Sequence, residues 1–262
     1  MLHIFKKLAL ASVLSTSLAM ADGGDFFDIK VGTGTWEADA PTGTFGTTEA
    51  TSIDLTDDFG IKDGTATYMW AEFQHGIPLI PHVRVEYAEM PFVGTSTANF
   101  TFGPYSYQSN IESTLRLDNV DVIAFYDIGL FDDMVDLNYG AGAKVIAGEL
   151  QGTLVATGDT QIAPIAAAAV YAYVNVRTEL PLGFGADVAY KWYPGGVTID
   201  GDLEFNETIA KLDYTLEWTI FKVGVEAGYR AMDLTLDLPT DQIYIHTKLS
   251  GAFYGAFLKI EI

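Results

Sequence analysis

From Val135 to Val145 the chain alternates strictly. Val135, Leu137, Tyr139, Ala141, Ala143 and Val145 are apolar or aromatic, and Asp136, Asn138, Gly140, Gly142 and Lys144 stand between them. A period of two predicts a β-strand with one apolar and one polar side. The stretch Met134 to Gly148 is long enough to cross a bilayer at a tilt. The same pattern recurs in Phe26–Trp36, Thr65–Gln74, Val83–Met90, Asp118–Ile128, Ala163–Thr178, Phe184–Tyr193, Glu207–Trp218 and Val223–Leu236. A last segment ends the chain with Tyr254, Ala256, Leu258, Ile260 and Ile262 on one face. The pattern therefore predicts about ten strands, 8 and 12 being the neighbouring even counts.

The links between these segments differ in length. His75–His82, with Pro78 and Pro81, is a turn, and Gly129–Asp133, Glu179–Gly183 and Thr219–Lys222 are short. Glu37–Gly64, Pro91–Leu117, Glu149–Gln161 and Pro194–Asn206 are longer and read as surface loops, with Asp237–Tyr244 intermediate. Short links at one end, long links at the other and an even strand count are the plan of an outer-membrane barrel, whose short turns face the periplasm. The predicted fold is all-β: a closed antiparallel up-and-down transmembrane β-barrel. Tyr126 and Trp218 near short turns, with Trp36, Tyr190 and Trp192 near long-loop ends, fit two aromatic girdles.

The first residues read as a signal peptide. Lys6 and Lys7 precede the apolar run Leu8–Leu18, and Ala19-Met20-Ala21 supplies small residues for cleavage. Residues 1–21 are thus assigned to the signal and 22–262 to the barrel. No later apolar run approaches the length of a membrane helix.

Composition narrows the chemistry. The chain has no cysteine, which excludes disulfides, thiolate metal sites and cysteine nucleophiles. Removing Lys6 and Lys7 from the 14 basic residues leaves 12 against 35 acidic ones, a net charge of −23. Nucleic acid is excluded as a partner, because binding it needs a basic footprint. Abundant Tyr, Phe, Val and Ile separate this acidity from that of a disordered chain.

Three segments resemble a known family. They are Phe73-Gln74-His75-Gly76-Ile77-Pro78-Leu79-Ile80-Pro81-His82-Val83-Arg84-Val85-Glu86-Tyr87, Asp118-Asn119-Val120-Asp121-Val122-Ile123 and Glu226-Ala227-Gly228-Tyr229-Arg230. They are similar to small outer-membrane β-barrel proteins of Gram-negative bacteria whose first turn reads His-Pro-Ile-Pro-x-x-Pro-Asn. The sequence departs at Gly76, where the family has Pro, and at His82, where it has Asn. It also ends in Ile262, where barrels of this kind usually end in an aromatic residue read by the assembly machinery. The resemblance implies a barrel in the outer membrane, in contact with lipid, lipopolysaccharide and the assembly machinery. It carries over no catalytic residue.

The polar faces of the strands define the candidate site. Glu72, Arg84, Glu86, Asp121, Asp136, Lys144, Arg177, Asp187, Lys191, Asp213, Glu226 and Arg230 point to the lumen. With both signs on neighbouring strands, the expectation is an ion-pair network that fills a narrow barrel; a narrow cation-preferring pore is the sharper variant. Acidic residues between Glu37 and Asp63 lack the spacing of a calcium loop, which leaves at most weak divalent bridging to lipopolysaccharide. No cofactor, no metal centre and no catalytic residue are expected. A rim-sited hydrolase, on the plan of omptin proteases or lipid A deacylases, would have to rest on His246, with Asp241 and Thr247 nearby. A soluble periplasmic ligand-binding barrel is the remaining alternative. The expected role is structural, surface-interacting or that of a minor pore, in a monomer.

Overall fold

Ten strands follow one another, each antiparallel to the next. They are β1 (Phe27–Ala38), β2 (Gly64–His75), β3 (His82–Glu89), β4 (Asn110–Leu130), β5 (Val135–Leu154), β6 (Thr160–Glu179), β7 (Phe184–Trp192), β8 (Asp202–Trp218), β9 (Phe221–Leu238) and β10 (Ile243–Glu261). The ring closes where β1 pairs with β10, from Asp28↔Glu261 to Ala38↔Gly251. Closure removes the unpaired edges that a sheet would otherwise expose. This computed structural model describes residues 27–48, 52–97, 100–102, 105–107, 110–130, 134–194, 198–199, 202–218, 221–238 and 243–261. The signal segment 1–21 and Ile262 lie outside the described residues.

All ten predicted strands are present, but several run further than their patterns suggested. β4 begins at Asn110 rather than Asp118, β5 continues to Leu154 and β8 begins at Asp202. Of the expected loop Pro91–Leu117, the two ends Pro91–Thr97 and Asn110–Leu117 are thus strand. Beyond Met90 the chain continues β3 as Pro91–Thr97, in unbroken register with β4: Ala88 faces Asn119 and Pro91 faces Arg116. Pro91 has no N–H to donate, and the break is bridged locally. Met90 N donates to Asp118 Oδ1 at 3.3 Å and Leu117 N donates to Met90 O at 3.1 Å.

The first long link is also more ordered than a solvated loop. Thr42–Gly46 adds to β10, and Ile53–Asp54 pairs back onto it. Gly43, at φ 134°, lets the chain approach β10 so closely that a Cβ there would collide with the His246 carbonyl. Phe45, Leu55, Phe59 and Ile61 from this link are all buried.

Side-chain facing keeps one phase along each strand, while polarity reverses partway up. On the outer face of β4, Glu112, Thr114, Arg116 and Asp118 give way to Val120, Val122, Ala124 and Tyr126. The outer face of β9 changes from Asp237, Thr235 and Asp233 to Tyr229, Ala227 and Val225. Near the short turns the outer surface is therefore apolar, with Val188 51% and Leu212 60% exposed. Toward the long-loop end it is polar, and the apolar residues turn inward. Ile111, Leu115, Leu117, Leu150, Leu203, Phe205, Leu234, Leu236 and Ile245 there form a closed core. Trp36, expected in a girdle, belongs to the interior: it is wholly buried, with the Arg230 guanidinium 4.9 Å from its ring centre.

Candidate functional site: a charged lumen with a cavity at the short-turn end

Beneath the apolar core lies a layer of buried charge. Lys144, from β5, and Asp121, from β4, face each other in register and pair at 2.7 Å. Lys144 also reaches Glu207 of β8 at 3.2 Å, across the lumen. Glu207 receives Arg230 of β9 at 2.6 Å. Lys191 of β7 pairs with Glu86 of β3 at 2.5 Å and lies 3.8 Å from both Asp121 and Glu207. Removing charges from water is costly, so each of these groups depends on the opposite charge beside it.

The network descends from this layer toward the short turns. Arg84 bonds Glu86 at 2.6 Å and Glu72 at 2.9 Å, and its guanidinium lies 4.5 Å from the ring centre of Trp70. Lys211 joins Asp187 at 3.3 Å and Glu226 at 3.0 Å. Glu226 also accepts from Tyr68 Oη and Trp70 Nε1, at 2.9 and 3.0 Å. Arg177 holds Asp213 through two nitrogens, at 2.6 and 3.2 Å, and reaches Asp187 and Glu179. Gly32 and Gly224 make room for this furniture: the Trp70 ring lies over the first and the Phe257 ring over the second.

Below the charged layer a cavity of about 610 Å³ opens at the short-turn end. Trp36, Asn119 and Arg230 line its inner end, and Asp28, Lys259, Asp127, Asp136, Glu179 and Glu217 stand at its mouth. The volume is in the range of small-molecule pockets. The aromatic wall is Tyr68, Trp70, Phe253 and Phe257, with Tyr173 and the hydrogen-bonded pair Asn138–Asn175 on other strands.

The structure turns all twelve residues singled out in the sequence toward the lumen. Glu72, Arg84, Glu86, Lys191, Asp121, Lys144 and Arg230 belong to one connected chain, and Arg177, Asp187, Asp213 and Glu226 to a second. Asp136 lines the mouth, opposite Arg177 in the β5–β6 register. Glu207 and Lys211 were not among the twelve, nor were Lys30 and Glu179, which pair with Glu72 and Arg177. Glu207, at the hub, sat at the expected end of its strand, and Lys211 lies two residues before Asp213 on the same face. Glu207 and Lys211 share the phase of Asp213, and that signal was sufficient to find them.

The histidines lie apart from the hub. His82 Nε2 is 2.5 Å from Asp127 Oδ1 at the short-turn end, and its ring packs 5.1 Å from that of His75. His246 is on the outer face of β10, where it meets Asp233 at 3.2 Å; Lys248 contacts the same carboxylate at 3.2 Å. Among the described residues no cluster of three or more His, Asp and Glu is arranged to hold a metal ion.

The class defined by this fold is the ten-stranded up-and-down barrel, with an apolar outer belt around a charged lumen in one half and an apolar core in the other. No family model matches the sequence, and no curated protein matches it. Among solved structures it is similar to the outer membrane protease OmpT from Escherichia coli, at 10% identity and a TM-score of 0.47, covering 94% of this chain and 100% of that one. It is also similar to Neisserial surface protein A, at 11% identity and a TM-score of 0.34, covering 92% and 100%. For the transport unit of the Escherichia coli autotransporter AIDA-I the values are 8%, 0.39, 98% and 96%. None of these likenesses carries an activity to this chain.

Proposed function

We propose that the chain is an outer-membrane barrel protein with a structural or surface-interaction role and no through-channel. Its short-turn half would cross the bilayer, and its long-loop half would stand beyond the outer leaflet. The observation that carries this reading is the reversal of polarity along single strands. An outer face that changes from Val122 to Arg116 within six residues matches a change of surroundings from hydrocarbon to water. The short turns would then face the periplasm.

Two features support closure. The charged layer around Lys144 and Glu207 is wholly buried, and above it the lumen is filled by side chains such as Phe205, Leu234 and Ile245. A narrow cation-preferring pore would require both to open. No catalysis is assigned in this reading, since His246 and Asp233 project from the outside of the wall, away from the cavity. The test is twofold. Outer-membrane fractionation with a heat-modifiability gel should show a folded, detergent-requiring barrel; release as a water-soluble monomer would refute the placement. Purified protein in planar bilayers should stay electrically silent across repeated insertions, and reproducible current steps would refute closure.

A further inference from the structure

The tips of the β2–β3 and β6–β7 turns are apolar, and the two share an unusual local geometry. In Ile77-Pro78-Leu79-Ile80 and Leu180-Pro181-Leu182-Gly183, a leucine follows a proline and adopts φ 68°. Leu79 and Leu182 are the only non-glycine residues with positive φ among the described residues. Proline followed by a positive-φ residue is the plan of a type II turn, where glycine or asparagine is the unstrained choice. A leucine there carries steric strain. Both side chains also project fully outward, Leu79 92% and Leu182 86% exposed. Each choice is unfavourable in water, and the two turns make it separately.

Apolar side chains also flank the other two short links. Met134 is 65% exposed at the start of β5, and Trp218 is 69% exposed at the end of β8, its ring tilted against that of Phe221 at 5.7 Å. At the β2–β3 and β6–β7 turns the apolar belt of the strands therefore continues through Ile77, Leu79 and Ile80 and through Leu180 and Leu182. At the opposite boundary it stops abruptly at Asp118 and Asp233.

We propose that the β2–β3 and β6–β7 turns are membrane-interface anchors, with Leu79 and Leu182 inserted into the lipid leaflet at the short-turn end. Inserted leucines gain an apolar environment that offsets the strained backbone. The barrel is thereby held low in the bilayer, with its long-loop half projecting. This rests on the belt meeting lipid, as proposed above. The occupant is lipid because the tips are continuous with that belt, whereas a protein partner would be expected to contact the charged mouth as well.

The chain has no cysteine, so single labels are unambiguous. Leu79→Cys, Leu182→Cys, Ala124→Cys in mid-belt and Glu112→Cys on the polar outer face would each carry a fluorescent maleimide. The purified proteins, reconstituted in vesicles of phosphatidylcholine and phosphatidylglycerol, would be exposed to lipids with shallow or deep nitroxides and to aqueous iodide. The expected result is at least twofold quenching of the 79 and 182 labels by shallow nitroxide, of the 124 label by deep nitroxide, and of the 112 label by iodide alone. If 124 is quenched by lipid but 79 and 182 respond only to iodide, the anchoring is wrong and the membrane barrel stands. If none of the labels responds to lipid, the membrane placement itself fails, and the anchoring with it.

Discussion

The two halves of this barrel are built from the same strands and obey opposite rules. In the short-turn half Ala141, Val145 and Val170 face out while Lys144 and Arg177 face in. In the long-loop half Leu234 and Leu203 face in while Asp233 and Glu204 face out. The backbone geometry is continuous through the change, since the β4–β5 register runs unbroken from Val135↔Leu130 to Leu154↔Ile111. What differs is how each half satisfies its interior. One does so with paired charges around a cavity, and the other with close-packed hydrocarbon like that of a soluble domain. The lesson is that a barrel wall fixes directions only. The surroundings at each height decide which polarity goes in which direction.

Four substitutions probe this contrast, from the largest effect to the smallest. Lys144→Ala removes the cation shared by Asp121 and Glu207 and leaves two buried carboxylates underpaired. A loss of about 3–5 kcal/mol is expected in denaturant unfolding of the refolded protein. A loss below about 1 kcal/mol would mean that the layer is not held by ion pairing. Leu234→Ala, in the apolar core of the other half, should cost about 2–5 kcal/mol by the same measurement, with no requirement for a bilayer. A negligible cost in detergent would show that this half is not independently packed.

The outer faces give the finer comparison. Ala141→Arg, between Ala124 and Ala172 in mid-belt, should cost about 2–4 kcal/mol in lipid vesicles. Thr114→Arg sits on the outer face of β4 beyond the reversal and should fall within about 0.5 kcal/mol of the parent. Equal penalties at the two positions would erase the boundary between the halves. So would a larger penalty at Thr114.

Much of this architecture is legible locally, because a period of two states directly which residues share a face. That sufficed for ten strands and for an inward network including Asp121, Lys144 and Arg230. The long-loop half was less legible, for a specific reason. Along β4 the apolar residues are odd-numbered at Ile111, Leu115 and Leu117, then even-numbered at Val120 and Val122. The chain keeps its phase, but the hydrophobic pattern slips by one, and a slip looks like the end of a strand. The same slip between Phe205 and Ala210 hid the upper part of β8 and left Glu207 at an apparent terminus.

Strand positions, facing and the sign of each lumen charge were thus set by the linear order of residues, since alternation needs only neighbours. Which charges meet was decided by closure alone. Lys144 and Glu207 lie on β5 and β8, which are not adjacent in the sheet, and only the curvature of the ring brings them to 3.2 Å. Closure likewise decided that the first long link packs Phe45 and Phe59 into the interior. These are contacts across a circumference, and no local period records the distance between opposite walls.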